Sequence, residues 1–132
     1  MALNHSRNFR ADEEKRNFAE SCAALEMSLG KLELVLREEN SALEAYQSTD
    51  HSPYTARKNH ILRELMVLQK ADHSGSVVAA KSDRLREVRQ LVDHNHRLLR
   101  AQIDAMSEVT NLLTQAAIAE GEDGTYTRKI KP

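Results

Sequence analysis

At 132 residues, with 30% charged and only 4% aromatic, the chain has the length of one domain and too few bulky rings for an aromatic core. A formal net charge of −1 excludes any general attraction to nucleic acid, which rests on clustered cations meeting phosphates. No stretch approaches the roughly 20 apolar residues that span a bilayer, and the start MALNHSRNFR lacks the apolar core of a secretory signal, so the chain reads as cytoplasmic, without membrane insertion.

Residues 1–10 are polar and lack periodicity, which suits a frayed segment or short cap. Asp12, Glu13 and Glu14 then place negative charge where the positive end of a helix dipole lies, predicting a first helix over about 11–49. Along it Phe18, Cys22, Leu25, Leu29, Leu32, Leu36, Glu39, Leu43 and Tyr46 recur in alternating steps of four and three, a heptad seam that only Glu39 interrupts. Such a seam belongs to a long helix packed lengthwise on other helices. Cys22, the one cysteine, has no internal disulfide partner and reads as a small core residue rather than a reactive thiol. Gly30 lies off the seam and costs about 1 kcal/mol relative to alanine.

The pattern stops at Thr49-Asp50-His51-Ser52-Pro53, where Ser52 suits an N-cap and Pro53 the first helical position. A second, shorter helix is predicted over 53–73, with Tyr54, Lys58, Ile61, Leu65 and Leu68 on its seam and Leu62, Met66 and Val67 widening it. It ends at Asp72-His73-Ser74-Gly75-Ser76. The third helix is predicted over 76–120, with Gly121 suited to its C-cap. Its seam reads Leu85, Val88, Val92, Asn95, Leu99, Gln102, Met106, Val109, Leu113 and Ala116, and buried amides at Asn95 and Gln102 would fix register. Residues 121–132 read as a flexible C-terminal tail. The fold expected is all-α: an elongated bundle of three helices, long, short and long, with a coiled-coil-like antiparallel hairpin, forming one domain over 1–120.

Two charged residues interrupt the seams of the hairpin, and counting back from the turn puts their levels within about 6 Å, so Glu39 and Lys58 are expected to form a buried structural pair. Residues 1–50 hold six basic and ten acidic groups, whereas 76–100 hold six basic and three acidic. The third helix can therefore lie favourably against the first. This also answers a nucleic-acid reading of Lys81, Arg84, Arg86, Arg89, Arg97 and Arg100, which lack interleaved aromatics for base stacking.

Sites for chemistry are not assembled by the sequence. His94 and His96 point to different faces of a helix, and none of the six histidines completes a closed metal set at helical spacing. There is no glycine-rich phosphate loop, nucleophile elbow or HExxH. The chain reads as a non-enzyme without metal or cofactor whose output is contact with another protein.

Glu39 followed by Ala42-Leu43, Lys58 followed by Leu62 and Leu65, Asn95-His96-Arg97-Leu98-Leu99 on the third helix, and Tyr126 shortly after it together resemble the FlgN-like flagellar type III export chaperone family over nearly the whole chain. The resemblance implies a cytoplasmic chaperone that binds flagellar hook-associated, hook–filament junction subunits, prevents their premature assembly, and delivers them to the export gate or export ATPase components. It also implies client contact through the helical region beyond Asn95. The alternative is a structural or regulatory homodimeric coiled coil without a secretion client.

Helix lengths point the same way. A second helix half as long as the first would start the third near the level of Lys31 and carry it past the first turn near Asn95. About 24 residues, some 36 Å, would then lack a partner. Leu98, Leu99, Ile103, Met106, Val109, Leu112 and Leu113 would line that stretch as a partner-binding stripe, with self-association as another way of covering it. Tyr126 is either an incidental exposed residue or a further anchor for a partner.

Overall fold

Among the described residues of the computed structural model four helices follow one another: α1 (Ala2–Glu44), α2 (Ser52–Ala71), α3 (Ser76–Ala80) and α4 (Ser82–Glu120). The structure describes residues 2–46 and 50–121, with side chains from residue 6 onward. All regular structure among the described residues is helical. The chain divides into two compact units, Met1–Asn95 and His96–Pro132, where the sequence suggested one domain over 1–120.

In the first unit α1 packs on α2 and α3. Ser28 of α1 meets Glu64 of α2, while Glu38 and Glu39 meet Arg57 and Lys58, so the two helices run antiparallel. Residues 82–95 of α4 return parallel to α1, with Arg84 against Glu26 and Glu33, and Asn95 against Glu39 and Asn40. Asn95 thus lies level with Glu39 rather than with the turn beyond Glu44.

Leu25, Leu29, Leu36, Val77 and Val88 form the buried core, with Cys22, Leu32, Leu65, Leu68, Leu85 and Leu91 half-buried around them. Burial of each such side chain contributes about 1.5–3 kcal/mol, and this, more than local propensity, holds helices of these lengths together. The seam of α1 is packed only from Cys22 onward: residues 6–20 are exposed on every side, including Phe18, which the heptad count placed on the seam. Tyr46 also leaves it. The last helical residue is Glu44, and Tyr46 adopts a left-handed φ of 54° with its ring exposed. Bonds from the Ala45 and Tyr46 amides to Ser41 and Leu43 carbonyls close this end.

Other boundaries move for local reasons. Helix α1 begins at Ala2 because its first ten residues contain no glycine or proline, so the acidic cluster at 12–14 lies within the helix. Before α2, the N-cap is His51, without a side-chain capping bond, so Ser52 is the first helical residue rather than the cap expected of it; Pro53 stands in the first turn, and the Asp50 carboxylate accepts the Ser52 amide at 3.0 Å. At the other end of α2, Asp72 accepts the amides of Val77 and Val78 at 3.2 and 3.1 Å, after Gly75 turns the chain with φ 74°. Lys81, at φ −105° and ψ 18°, separates α3 from α4, so the predicted 76–120 helix is two helices.

Gly30 is helical and has open space where a Cβ would stand. Gly30→Ala is therefore expected to raise stability by about 0.5–1 kcal/mol, read as a higher denaturation midpoint at unchanged denaturant slope.

Candidate functional site

Two features stand out, one buried in the first unit and one exposed in the second. The buried one is built on Glu39, whose side chain is wholly inaccessible and collects donors from three other parts of the chain. Lys58 Nζ of α2 donates to Oε1 at 2.6 Å, Asn95 Nδ2 of α4 donates to the same oxygen at 2.9 Å, and His51 Nδ1, before α2, lies 2.8 Å from Oε2. Because a carboxylate only accepts, His51 carries its proton on Nδ1. Lys58 donates also to Asn95 Oδ1 at 3.2 Å, and Asn95 Nδ2 to Asn40 Oδ1 at 2.8 Å. One buried charge thereby ties α1, the turn, α2 and α4 at a single level.

Burial pushes the Glu39 carboxyl upward, but the hydrogen bonds from Lys58, Asn95 and His51 and the charge of Lys58 outweigh it and hold the group below the ordinary glutamate range. Glu33 is likewise held low, chiefly by its hydrogen bond from Arg84, and Glu64 by the hydroxyl of Ser28. The Glu39–His51 pair has the form of a carboxylate orienting an imidazole. Its Nε2 is buried without a hydrogen-bond partner among the described residues. The cluster serves to fix register.

Four of the six basic residues between 81 and 100 meet carboxylates. Arg84 reaches Glu26, Glu33 and Glu87, Lys81 reaches Glu26, Arg86 pairs with Asp83, and Arg100 with Asp104. Among the described residues no three His, Cys, Asp or Glu side chains gather as a metal site, and no helix is long and apolar enough to cross a membrane.

The exposed feature belongs to the second unit. Every residue from 101 to 120 of α4 is exposed. Ile103 and Met106 are each 59% exposed, Leu112 60% and Leu113 66%, with Val109 exposed beside them. Leu98 and Leu99 are half-buried. These residues share one face because they fall at heptad spacing and its flanks. Ile118 is also exposed but lies off that face, and the heptad count passed over it for that reason. Tyr126 lies outside the described residues. Sequence reasoning missed Asn40 and His51: one sits beside the seam and the other in the turn, where periodicity carries no signal.

No protein-family model, curated protein or solved structure matches this chain.

Lys58→Met leaves Glu39 buried without its strongest partner and should destabilise by up to about 3–5 kcal/mol, measured by chemical denaturation. Glu39→Leu with Lys58→Met should not restore full stability, since it strands His51 Nδ1 and removes an acceptor from Asn95. The lowered carboxyl of Glu39 contributes stability in full above its ordinary value of about 4.3 and loses it as pH falls through the folded-state value. Midpoints should therefore hold from pH 7 to about 5 and fall below about 4, with a shallower acid decline in Glu39→Gln.

Proposed function

We propose that this chain is a cytoplasmic flagellar export chaperone. In this reading it binds hook–filament junction subunits through the apolar face of α4, keeps them from assembling prematurely, and releases them to export gate or export ATPase components without chemistry of its own. The long, short and long helices form the antiparallel scaffold of that chaperone, with the Glu39 cluster as its register pin. The observation that carries the reading is the exposed face around Ile103, Met106, Val109, Leu112 and Leu113. A helix presenting apolar anchors at these spacings can pair with an amphipathic helix of a client.

The sequence resemblance supplies the client class. Glu39 with Ala42-Leu43, Lys58 with Leu62 and Leu65, and Asn95 to Leu99 are the residues that carry it, and Tyr126 is assigned to partner contact on the same basis. Leu98 and Leu99 form the near end of the face, and Ile103 and Met106 its centre.

The test is capture of hook–filament junction subunits co-expressed with the chain, compared with Ile103→Asp/Met106→Asp. The variant should keep its helical circular dichroism and cooperative melt while losing at least about tenfold in client affinity, because an aspartate has to be desolvated where a leucine or methionine of the client would pack. Capture unchanged by the two aspartates would refute the assignment of this face.

A further inference from the structure

From residue 98 to 119 the heptad of α4 has an unusual breadth. Seam positions are Leu99, Gln102, Met106, Val109, Leu113 and Ala116, and the positions beside them add Leu98, Ile103, Leu112 and three alanines. None of these is charged. Of the polar members, Thr110 donates its hydroxyl to the Met106 carbonyl at 2.9 Å, and Gln102 is the amide of the face. Arg97, Arg100, Asp104 and Glu108 all stand on the outer side of the helix.

Half the circumference of a helix about 10–12 Å across and about 33 Å long amounts to roughly 500–600 Å². Two such faces closed on each other bury on the order of 1,000–1,200 Å², the lower end of what specific protein pairs use. The area therefore suits a second copy of the same helix.

Helix dipoles and the end charges set the direction. Arg97 and Arg100 stand at the near end, Arg100 already paired with Asp104 of its own helix, Glu108 lies near the middle, and Glu120 follows the far end. Parallel pairing would bring like charges level and align the helix dipoles. Antiparallel pairing opposes the dipoles and brings Glu120 within a helical turn of the level of the other copy's Arg97. A register that sets Leu99 against Ala116 and Met106 against Val109 has its two-fold axis near residues 107 and 108, with Ala105 opposite Thr110 and Gln102 opposite Leu113.

We infer that the chain free of client forms an antiparallel homodimer through the apolar face of α4 between Leu98 and Ala119. This concerns the unloaded protein and does not rest on the identity of the client: a dimer without capture, or capture without a dimer, separates the two.

The experiment uses the full chain. Sedimentation equilibrium from about 1 to 200 µM should show the mass rising from one chain towards two, and Ile103→Asp/Met106→Asp should weaken the dimer by at least about 100-fold. In parallel, a spin label at Ile118→Cys in a Cys22→Ser background leaves the face intact and reads the orientation by dipolar distance. The antiparallel register separates the two labels by more than about 30 Å along the axis at roughly 1.5 Å per residue, whereas a parallel pair would hold them within about 25 Å. A single-chain mass across the whole range overturns the proposal, as does a dimer indifferent to the aspartates or a short label distance. Should the aspartates disturb folding, the label distance together with the concentration dependence still decides.

Discussion

The first unit depends on the burial of one carboxylate. Taking Glu39 out of water would be prohibitive for an isolated charge, and it is tolerated because Lys58, Asn95 and His51 converge on its two oxygens. The carboxylate is satisfied only if α1, the turn, α2 and α4 stand at one register. A slip of α2 by a single helical turn would move Lys58 by about 5.4 Å and leave the charge without its cation. An apolar seam alone would not discriminate so sharply, since leucine layers repeat along it. The polar cluster marks one level as unlike the others, and the core of Leu25, Leu29, Leu36, Val77 and Val88 then closes in that alignment. Arg84 adds a second level, at Glu26 and Glu33, closer to solvent and correspondingly less decisive.

Much of this arrangement could be read from periodicity. Steps of four and three locate both long helices and pick out Glu39, Lys58 and Asn95 as polar residues on otherwise apolar faces. The structure places these three within hydrogen-bonding distance of one another. Periodicity fails where the chain leaves a helix or where a seam has nothing to meet. Phe18 and Tyr46 fit the heptad count yet are exposed, because a count records which residues share a face and says nothing of where the partner ends. The split at Lys81 had a legible signal in Ser82-Asp83, a helix-start pair following Ala79-Ala80, which the continuous apolar spacing on either side obscured. His51 carried no signal. Its contribution comes from a turn, whose position depends on the helices it joins.

The second unit obeys a different logic. Its helix is amphipathic without being packed, and its apolar side is broader than a two-stranded seam requires. Apolar surface of this kind costs solubility unless it is covered, and the proposed dimer and the proposed client would each cover it. The register-locked scaffold and this exposed face fall on separate parts of the chain.

The central claim is that client contact is confined to the apolar side of α4 beyond Asn95. Amide hydrogen exchange of the full chain at submicromolar concentration, with and without a hook–filament junction subunit, tests it most directly. The account predicts slower exchange across 101–120 on client addition, with amides of 25–43 essentially unchanged. Slowing concentrated in 25–43, or an unchanged pattern in 101–120 while the client is bound, would contradict it.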